Sequence, residues 1–311
     1  MNCSLVIRAY NEEDHIGRLL EGIRRQTVED IEIILVDSGS IDATVAIAEK
    51  FGVRVVHIRP EEFTFGRSLN LGLQAASCDL VVIASAHVYP VYPDWLERLL
   101  EPFSDPQVAL VYGKQRGDER SKFSERQILS RWFPDTSDFQ QRHPFCNNAN
   151  AAIRRELWLE HAYDEALTGL EDLEWARWAV DQGRLLAYAA DAEIIHVHAE
   201  TPRGVLNRYR REAMAFKHLY PEAHFSLYDF FRMAVGNILS DCYHAAREKN
   251  LYTNLFSILW FRTAQFWGTY QGYRHVIEWT WQLRQKFYYP QARVVDEGVG
   301  VRSIDPIRYD K

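Results

Sequence analysis

The first hundred or so residues switch between two hydrophobic periods, one typical of strands and one typical of helices. Residues 31–36 (IEIILV) and 80–84 (LVVIA) are nearly continuous apolar runs, the pattern of strands buried on both faces of a parallel sheet. Residues 13–25 instead place apolar side chains at helical spacing, at Ile16, Leu19, Leu20 and Ile23. Because strands and helices alternate, the pattern predicts right-handed βαβ units and an α/β fold with a Rossmann-like sheet.

The remaining pattern predicts how the chain is organised. Further strands are expected at 4–7, at 53–58 and within 187–198, and further helices at 40–51, 68–76 and 171–181. Residues 114–145 lack clean periodicity, which predicts a mobile functional loop or lid. We predict a nucleotide-binding and catalytic domain over 1–204, an aromatic-rich helical extension over 205–290 and a C-terminal arm over 291–311.

Composition and charge narrow the class of protein. The 311 residues are 47% hydrophobic and 25% charged, which excludes a disordered, collagen-like or disulfide-stapled chain. The net charge of −7 argues against a nucleic-acid partner. The four cysteines form no metal motif and are expected to be reduced, as in a cytosolic protein. Arg8 interrupts the N-terminal apolar run, so no signal peptide is expected, and Leu255–Phe261 is too short to span a membrane.

Polar residues follow the predicted strands at their carboxyl ends, where α/β sheets bind ligands. Tyr10 and Glu12 follow the first strand, Asp37 opens the segment VDSGSIDAT after the second, and Ser85 and His87 follow the fourth. The Asp37 carboxylate could accept a hydrogen bond from a nucleobase imide, and Tyr10 offers a ring for stacking. Ordinary turn and helix-cap chemistry explains Asp37 equally well.

Three segments carry a resemblance to a known family: SLVIRAYNEEDHIGRLLEGIRRQT from Ser4, EIILVDSGSIDAT from Glu32 and GRSLNLGLQAASCDLVVIASAH from Gly66. Over about residues 3–200 the chain resembles family 2 glycosyltransferases with the GT-A fold. The resemblance implies a mixed, Rossmann-like sheet flanked by helices, with a C-terminal helical extension. It also implies a set of residues that bind the nucleotide sugar, which comprises Ala9, Tyr10, Glu12, Asp37, Arg67, Ser85 and His87.

The family's DxD motif falls at residues 85–87, where this sequence has Ser-Ala-His instead. Ser85 can still bond a sugar hydroxyl, and His87 can be a metal ligand that suits Mn²⁺ better than Mg²⁺. His196 and His198 end a later strand and share one face, so they join His87 as predicted metal ligands, or the three rings donate hydrogen bonds to the diphosphate directly. Because two negative charges are missing, the divalent cation, Mn²⁺ or Mg²⁺, could be dispensable. A polar strand end without a metal is the alternative.

Glu171 and Asp172 open the helix predicted at 171–181 and match the family's xED motif. The resemblance implies that Asp172 is the general base and Glu171 a supporting contact. Acidic residues at a helix start also complement the helix dipole, which is a purely structural explanation. Residues 146–158 (CNNANAAIRRELW) are similar to the segment before the acceptor site, so Asn148 and Asn150 are expected to contact the acceptor. Trp175, on the helix that Glu171 opens, lies where a sugar face or lid packing would use its ring and is also counted as an acceptor contact.

Taken together, these motifs most resemble bacterial rhamnosyltransferase-type members. They imply an inverting enzyme that moves a sugar from a dTDP- or UDP-linked donor to a hydroxyl of a bacterial surface glycan or lipid-linked oligosaccharide. The expected location is the cytoplasm or the inner face of the cell membrane.

Two other functions stay open. The missing DxD motif would fit a catalytically degenerate nucleotide-sugar binding module. A nucleotidyltransferase shares the sheet, but residues 8–20 lack its glycine-rich phosphate loop, and no GxGxxG motif supports a dehydrogenase. The aromatic helix at Leu251–Tyr273 is expected to contact a membrane surface or to pack within the protein or across a homodimer.

Overall fold

The computed structural model describes residues 2–198, 200–274 and 304–309. The strands are β1 (Cys3–Ala9), β2 (Ile31–Asp37), β3 (Arg54–His57), β4 (Leu80–Ser85), β5 (Val88–Pro90), β6 (Val108–Arg116), β7 (Asp138–Gln141), β8 (Asn150–Arg154) and β9 (Leu185–His196). The helices are α1 (Ile16–Arg24), α2 (Thr44–Lys50), α3 (Phe65–Ala75), α4 (Trp95–Leu100), α5 (Phe123–Trp132), α6 (Arg155–Glu160), α7 (Glu171–Asp181), α8 (Pro202–Leu219), α9 (Leu227–Arg247) and α10 (Leu251–Tyr273).

These strands form one mixed sheet in the order β3-β2-β1-β4-β8-β6-β9-β5, with β7 paired to β9. The strands β1 to β4 are parallel, whereas β8 runs antiparallel to β4 and β6. The register places Ala9 opposite Asp37 and Arg8 opposite Ser85. The carboxyl ends of β1, β2 and β4 therefore meet at one edge, as the alternating pattern predicted.

Each face of the sheet is covered by its own hydrophobic cluster. In β4, Val82 and Ala84 belong to one cluster, and Val81 and Ile83 belong to the other. This two-sided burial explains why the strand reads as a continuous apolar run. Each fully buried aliphatic side chain contributes about 1.5–3 kcal/mol relative to its exposed state, so the buried strands stabilise the fold strongly.

The loop predicted over 114–145 is wrong, because this region contains the end of β6, the helix α5 and the strand β7. Phe123 in α5 is 1% exposed and packs with Ala245 of α9 and Ile258 of α10. The α5 helix buries polar as well as apolar residues, including Ser124, whose carbonyl accepts a hydrogen bond from the Nη2 of Arg262 at 3.3 Å. The residues that make these contacts with α5 come from α9 and α10, more than 100 residues away in the sequence. Because they bury polar as well as apolar side chains of α5, the helix shows no clear hydrophobic periodicity.

The C-terminal helices predicted from the sequence are present. The Thr201 hydroxyl caps α8 and Pro202 is its first residue, while Ser226 and Asp229 form a capping box at α9. The predicted boundary at residue 204 falls in the first turn of α8, and residues 275–290 of the predicted extension lie outside the described residues. Across the described ranges, each helix is too short or too polar to cross a bilayer.

The described end of the chain, residues 304–309, has neither helix nor strand and lies against β5 and the residue that follows it. The backbone N–H of Ile307 donates to the Val91 carbonyl at 2.8 Å, and the Tyr309 hydroxyl donates to the Pro90 carbonyl at 2.6 Å. The other residues of the predicted arm lie outside the described residues, so residues 304–309 are the part of the arm that the structure describes.

Candidate functional site

The sheet edge at the carboxyl ends of β1 and β2 gathers the residues predicted to bind the nucleobase. The Tyr10 side chain is 56% exposed, and Asn11 after it adopts a left-handed φ of 54°. Asp37 is buried, and its carboxylate accepts hydrogen bonds from the backbone N–H groups of Gly39 and Ser40 at 3.1 and 3.2 Å. Asp37 therefore fixes the turn after β2, and the exposed Tyr10 ring after β1 is left for a stacking partner.

Four other predicted nucleotide contacts, Glu12, Arg67, Ser85 and His87, lie around the same strand ends. The Glu12 carboxylate lies 2.8 Å from Nδ1 of His87, so Glu12 is tied to the histidine that replaces the family's second acid. Arg67, near the start of α3, has its Nη1 atom 3.4 Å from Oε2 of Glu165. The Ser85 backbone N–H donates to the Ala149 carbonyl at 3.4 Å, which keeps the Ser85 side chain at the strand end.

The predicted catalytic acids stand at the first turn of α7. Leu170 precedes them with a left-handed φ of 58°, a conformation that costs about 1–2 kcal/mol for a residue with a side chain. Arg8 of β1 reaches Glu171, with Nη1 3.2 Å from Oε1. The Asp172 carboxylate accepts the backbone N–H groups of Asn148 at 3.2 Å and Leu173 at 2.8 Å. Contacts from β1, from the turn before β8 and from α7 itself thus hold the two acids.

The Asp172 carboxyl has an unusual proton affinity. Desolvation by the surrounding protein and the neighbouring negative charge of Glu171 together raise its pKa from the ordinary value to about 7. Arg8 and the two backbone N–H groups oppose this shift only in part. The side chain is nevertheless half-buried rather than closed off. A carboxyl that changes protonation state near neutral pH and can still be reached is suited to proton transfer.

The three residues predicted to contact the acceptor are placed differently. Asn148 is 2% exposed, its Oδ1 accepts a hydrogen bond from the Tyr163 hydroxyl at 3.4 Å, and its Nδ2 has no partner among the described residues. Asn150 is fully buried, and it bonds Trp95 Nε1 and two backbone carbonyls. Trp175 is also fully buried and donates to the His161 carbonyl at 2.7 Å. Asn150 and Trp175 use their polar atoms inside the protein, whereas Asn148 holds Asp172 and keeps an unpaired Nδ2, so Asn148 is the one of the three that belongs with the candidate site.

Three imidazoles meet where β4 and β9 end. His87 follows β4, His196 ends β9 opposite Val88, and His198 comes two residues later. The ring of His196 stacks on that of His87 with centroids 5.1 Å apart, and its centroid lies 4.1 Å from that of His198. One ligand nitrogen from each ring lies within 4.8 Å of the other two. The structure therefore brings together the three predicted metal ligands.

Each of the three rings has an acceptor on its Nδ1 atom. Glu12 contacts His87 at 2.8 Å, Gln115 contacts His196 at 2.7 Å, and Glu125 contacts His198 at 2.7 Å. Sequence reasoning missed Gln115 and Glu125. Gln115 lies near the carboxyl end of β6, where the strand-end rule applies, but Glu125 lies in the region read as a loop and carries no sequence signal.

The charge state of the cluster follows from its burial. Desolvation lowers the pKa values of His196 and His198 well below the ordinary value, and the neighbouring imidazoles and Arg208 lower them further. Both rings are therefore neutral at pH 7, which is the form that binds metal ions. The residues present fit a divalent cation at this place.

A comparison with protein families decides the family of the chain. Residues 4–161 match the model of glycosyl transferase family 2, which covers half of the chain. The chain is a family 2 glycosyltransferase. The family 2 match spans β1 through the end of α6, so it includes the strand ends, the Ser-Ala-His segment and Asn148, while Asp172 and the two later histidines follow it in the chain.

Relatives and solved structures agree with the family. The glycosyltransferase is 27% identical over 222 residues to the O-antigen chain rhamnosyltransferase RfbN of Salmonella typhimurium, covering 67% of this chain and 70% of that protein. It is 28% identical over 224 residues to the O-antigen chain rhamnosyltransferase WbaN of Salmonella anatum, covering 66% and 69%. The mannosyltransferase PcManGT of Pyrobaculum calidifontis, solved with GDP-Man and Mn²⁺, superposes with a TM-score of 0.58 at 18% identity over 87% of this chain and 84% of that chain.

A second solved structure gives the same fold. TarS 1-349 of S. aureus, solved in complex with UDP-GlcNAc, superposes with a TM-score of 0.55 at 15% identity over 85% of this chain and 90% of that chain. Both superpositions cover more of the chain than the family match, which ends at residue 161. The GT-A fold predicted from the resemblance is confirmed.

Proposed function

We propose that this glycosyltransferase moves a sugar from a nucleoside-diphosphate donor to an acceptor hydroxyl with inversion at the anomeric carbon, and that Asp172 is its general base. The main support for this proposal is the environment of Asp172. Its carboxyl is half-buried beside Glu171, and its pKa is raised to about 7. A base with a pKa near the working pH combines an adequate deprotonated fraction with strong proton affinity. Asp172 takes the hydroxyl proton while that oxygen attacks the sugar from the face opposite the diphosphate.

Asn148 supports this assignment from the neighbouring loop. Its backbone N–H holds Asp172 at 3.2 Å, and its side-chain Nδ2 is buried without a partner among the described residues. An unpaired buried amide costs about 1–3 kcal/mol, a cost that an acceptor or donor oxygen would remove. We therefore assign Asn148 to orient a sugar hydroxyl next to the base.

The donor is proposed to be a dTDP- or UDP-linked sugar. Tyr10 is exposed at the sheet edge where a base would stack, and Asp37, Ala9 and Arg67 lie around the same strand ends. The similarity to two O-antigen rhamnosyltransferases favours a deoxysugar, and the solved neighbours were complexed with GDP-Man and with UDP-GlcNAc. The Ser85 hydroxyl can form a hydrogen bond with a hydroxyl of the donor sugar.

A divalent cation is proposed at the three imidazoles His87, His196 and His198. Such an ion, when bound, neutralises charge on the leaving diphosphate. Glu12, Gln115 and Glu125 contact the Nδ1 atoms of the three rings, which leaves the Nε2 atoms to bind the ion. The Mn²⁺ in the solved PcManGT complex supports a cation site in this fold.

The acceptor is proposed to be a hydroxyl of a bacterial surface glycan or of a lipid-linked oligosaccharide, modified on the cytoplasmic side of the membrane. The chemistry of α9 and α10 supports a membrane partner. Their exposed apolar side chains form what we term the α9–α10 face, which comprises Leu227, Tyr228, Phe231, Val235, Leu239 and Tyr243 of α9 and Tyr252, Leu255, Phe256, Leu259 and Trp267 of α10.

The charges beside the α9–α10 face favour an anionic lipid surface as its occupant. Arg232 and Arg247 are exposed on α9, whereas the two acidic residues of that helix, Asp229 and Asp241, are buried. The α10 helix has no acidic residue. Aromatic and aliphatic side chains with cations and without anions are the composition of helices that lie on anionic membranes. A homodimer through these helices is the alternative outcome of the same test.

Two other functions are less well supported. A nucleotide-sugar binding module without catalysis needs no general base, yet the Glu171-Asp172 pair is intact and held by Arg8. A nucleotidyltransferase needs a glycine-rich phosphate loop after β1, and residues 8–20 have only Gly17.

The testing experiment measures transfer and donor binding separately. We expect Asp172→Asn to lower kcat by about 10²–10⁴-fold, the usual contribution of a general base, while the Kd of dTDP- and UDP-sugars stays within a few-fold. Asp181→Asn, at the exposed end of the same helix, is the matched control and should leave kcat unchanged. Retained turnover in Asp172→Asn with normal donor binding would show that another group is the base.

A further inference from the structure

The histidine cluster has the orientation of a preformed metal site. His87, His196 and His198 come from two different strand ends, yet one nitrogen of each lies within 4.8 Å of the others. Ligand nitrogens around a tetrahedral ion at Zn–N distances of about 2.0–2.1 Å stand about 3.4 Å apart, so small side-chain rotations close the present spacing onto an ion.

The hydrogen bonds of the rings determine which nitrogen is free. Each Nδ1 faces an oxygen acceptor, from Glu12, Gln115 and Glu125 respectively. A neutral imidazole has one N–H, and these acceptors keep it on Nδ1. The Nε2 atoms therefore carry lone pairs, and that of His196 is buried with no hydrogen-bond partner in the described part of the chain. An acceptor bond on the outer nitrogen is the arrangement that orients histidine ligands of metal ions.

In this tautomer the Nε2 atoms carry no hydrogen, so they cannot donate a hydrogen bond to a diphosphate. An Nε2 lone pair facing a phosphate oxygen is repulsive, because neither atom carries a hydrogen. A cation between the Nε2 atom and the phosphate oxygen accepts a lone pair from each of them. The carboxylates of Glu12 and Glu125 lie behind two of the rings and offset part of the ion's charge, while Arg208 pairs with Glu125 at 3.3 Å and with Glu200 at 2.7 Å.

We propose that His87, His196 and His198 form a transition-metal site of the Zn²⁺ and Co²⁺ type, which binds its ion through three imidazole Nε2 atoms before any nucleotide arrives and which excludes Mg²⁺. The inference rests on the proposed function, because this ion is the one assigned there to the donor diphosphate. Its binding, however, depends only on the three rings and their acceptors.

The three imidazole nitrogens determine which metal ions the site binds. Mg²⁺ requires oxygen ligands in a near-ideal octahedron and gives up its water reluctantly, and the cluster offers it no direct oxygen ligand. Imidazole suits Zn²⁺ and Co²⁺, and affinity at a nitrogen site rises from Mn²⁺ through Co²⁺ towards Zn²⁺. Three protein ligands leave at least one coordination position open, which is the position a diphosphate oxygen would take.

The test uses the full chain, stripped with a chelator, and the metal ions alone. Equilibrium dialysis should give one Zn²⁺ or Co²⁺ per chain and no Mg²⁺ at the same free concentration, and bound Co²⁺ should show visible absorption bands of a site with nitrogen ligands. His196→Ala and His87→Ala should each weaken Zn²⁺ binding by about 100-fold or more, and Glu125→Gln by about 10- to 100-fold. His218→Ala, on the exposed side of α8, is the matched control and should bind normally.

Equal binding of Mg²⁺ and Zn²⁺ would overturn the proposal, as would unchanged Zn²⁺ binding in His196→Ala and His87→Ala. His87 is the more exposed of the two ligands, so its variant keeps the test decisive if the buried His196→Ala does not fold. The outcome is independent of the general base. A wild-type chain that binds Zn²⁺ but transfers no sugar would contradict the proposed function alone, and an active chain that ignores Zn²⁺ would contradict this inference alone.

Discussion

The Nη1 atom of Arg8 lies 3.2 Å from Oε1 of Glu171, and this contact joins the carboxyl end of β1 to the start of α7. Both side chains are largely buried, with exposed fractions of 16% and 6%. Glu171 raises the pKa of Asp172 and Arg8 lowers it, so the pair sets the proton affinity of the proposed base through opposing charges. The first strand thus tunes a group that lies more than 160 residues away in the sequence.

The rate of transfer should depend on pH through Asp172. Its pKa is about 7, and only the deprotonated carboxylate can accept a proton, so kcat/KM should fall about tenfold per pH unit below pH 7 and level off above it. A profile of kcat/KM from pH 5 to 9 checks this. A flat profile down to pH 5 would mean that the base has an ordinary carboxyl pKa.

Substitutions at Arg8 and Glu171 should move that midpoint in opposite directions. Arg8→Met removes a positive charge near Asp172 and should shift the midpoint to higher pH. Glu171→Gln removes a negative charge and should shift it to lower pH. The comparison of the two pH profiles is the measurement, and shifts in the same direction would exclude this electrostatic coupling.

Asn148 and Asn150 of the 146–158 segment should separate structure from function. Asn150→Ala leaves Trp95 Nε1 and two backbone carbonyls without their buried partner, and it should lower the free energy of unfolding by about 3 kcal/mol. Asn148→Ala breaks only the long contact from Tyr163, so its unfolding midpoint in urea should stay close to wild type while kcat/KM falls. Equal losses of stability would contradict the assignment of Asn148 to the site.

The packing of α8 on α10 should be sensitive to a single methyl group at Gly268. A Cβ there would stand 2.3 Å from the Leu206 carbonyl oxygen, so Gly268→Ala should destabilise the protein by about 1–3 kcal/mol. Gly236 in α9 has no atom within 4 Å of the same position, and Gly236→Ala should stabilise the protein by about 0.5–1 kcal/mol. Thermal unfolding of the two variants checks the opposite signs.

The α9–α10 face should bind anionic vesicles. Phe231→Asp places a charge where a 58% exposed ring now stands, and it should abolish co-sedimentation with vesicles that contain phosphatidylglycerol. Leu159→Asp, at a 65% exposed position of α6, is the matched control and should sediment like wild type. If the wild-type protein does not bind vesicles but forms a dimer that Phe231→Asp dissociates, the occupant of the α9–α10 face is a second copy of the chain.

Elements with their own periodicity were predictable. The strands β1, β2 and β4 and the helices α1 and α7 lie within a few residues of their predicted positions, because each buries a face or both faces that the local pattern displays. The helix α5 was missed for the opposite reason. Its buried Glu125 is stabilised by His198 and Arg208, more than 70 residues away, and nothing near Glu125 in the sequence signals that burial.

The sequence by itself determined the α/β class, the polar strand ends, the three histidines and the acidic pair that opens α7, since these follow from period and motif. Only the tertiary structure decided how they are used. It buried Asn150 and Trp175, paired Arg8 with Glu171, and placed an acceptor on Nδ1 of each imidazole. Proton affinity and ligand orientation depend on distances of a few ångströms between side chains, and the fold sets those distances by joining distant strand ends.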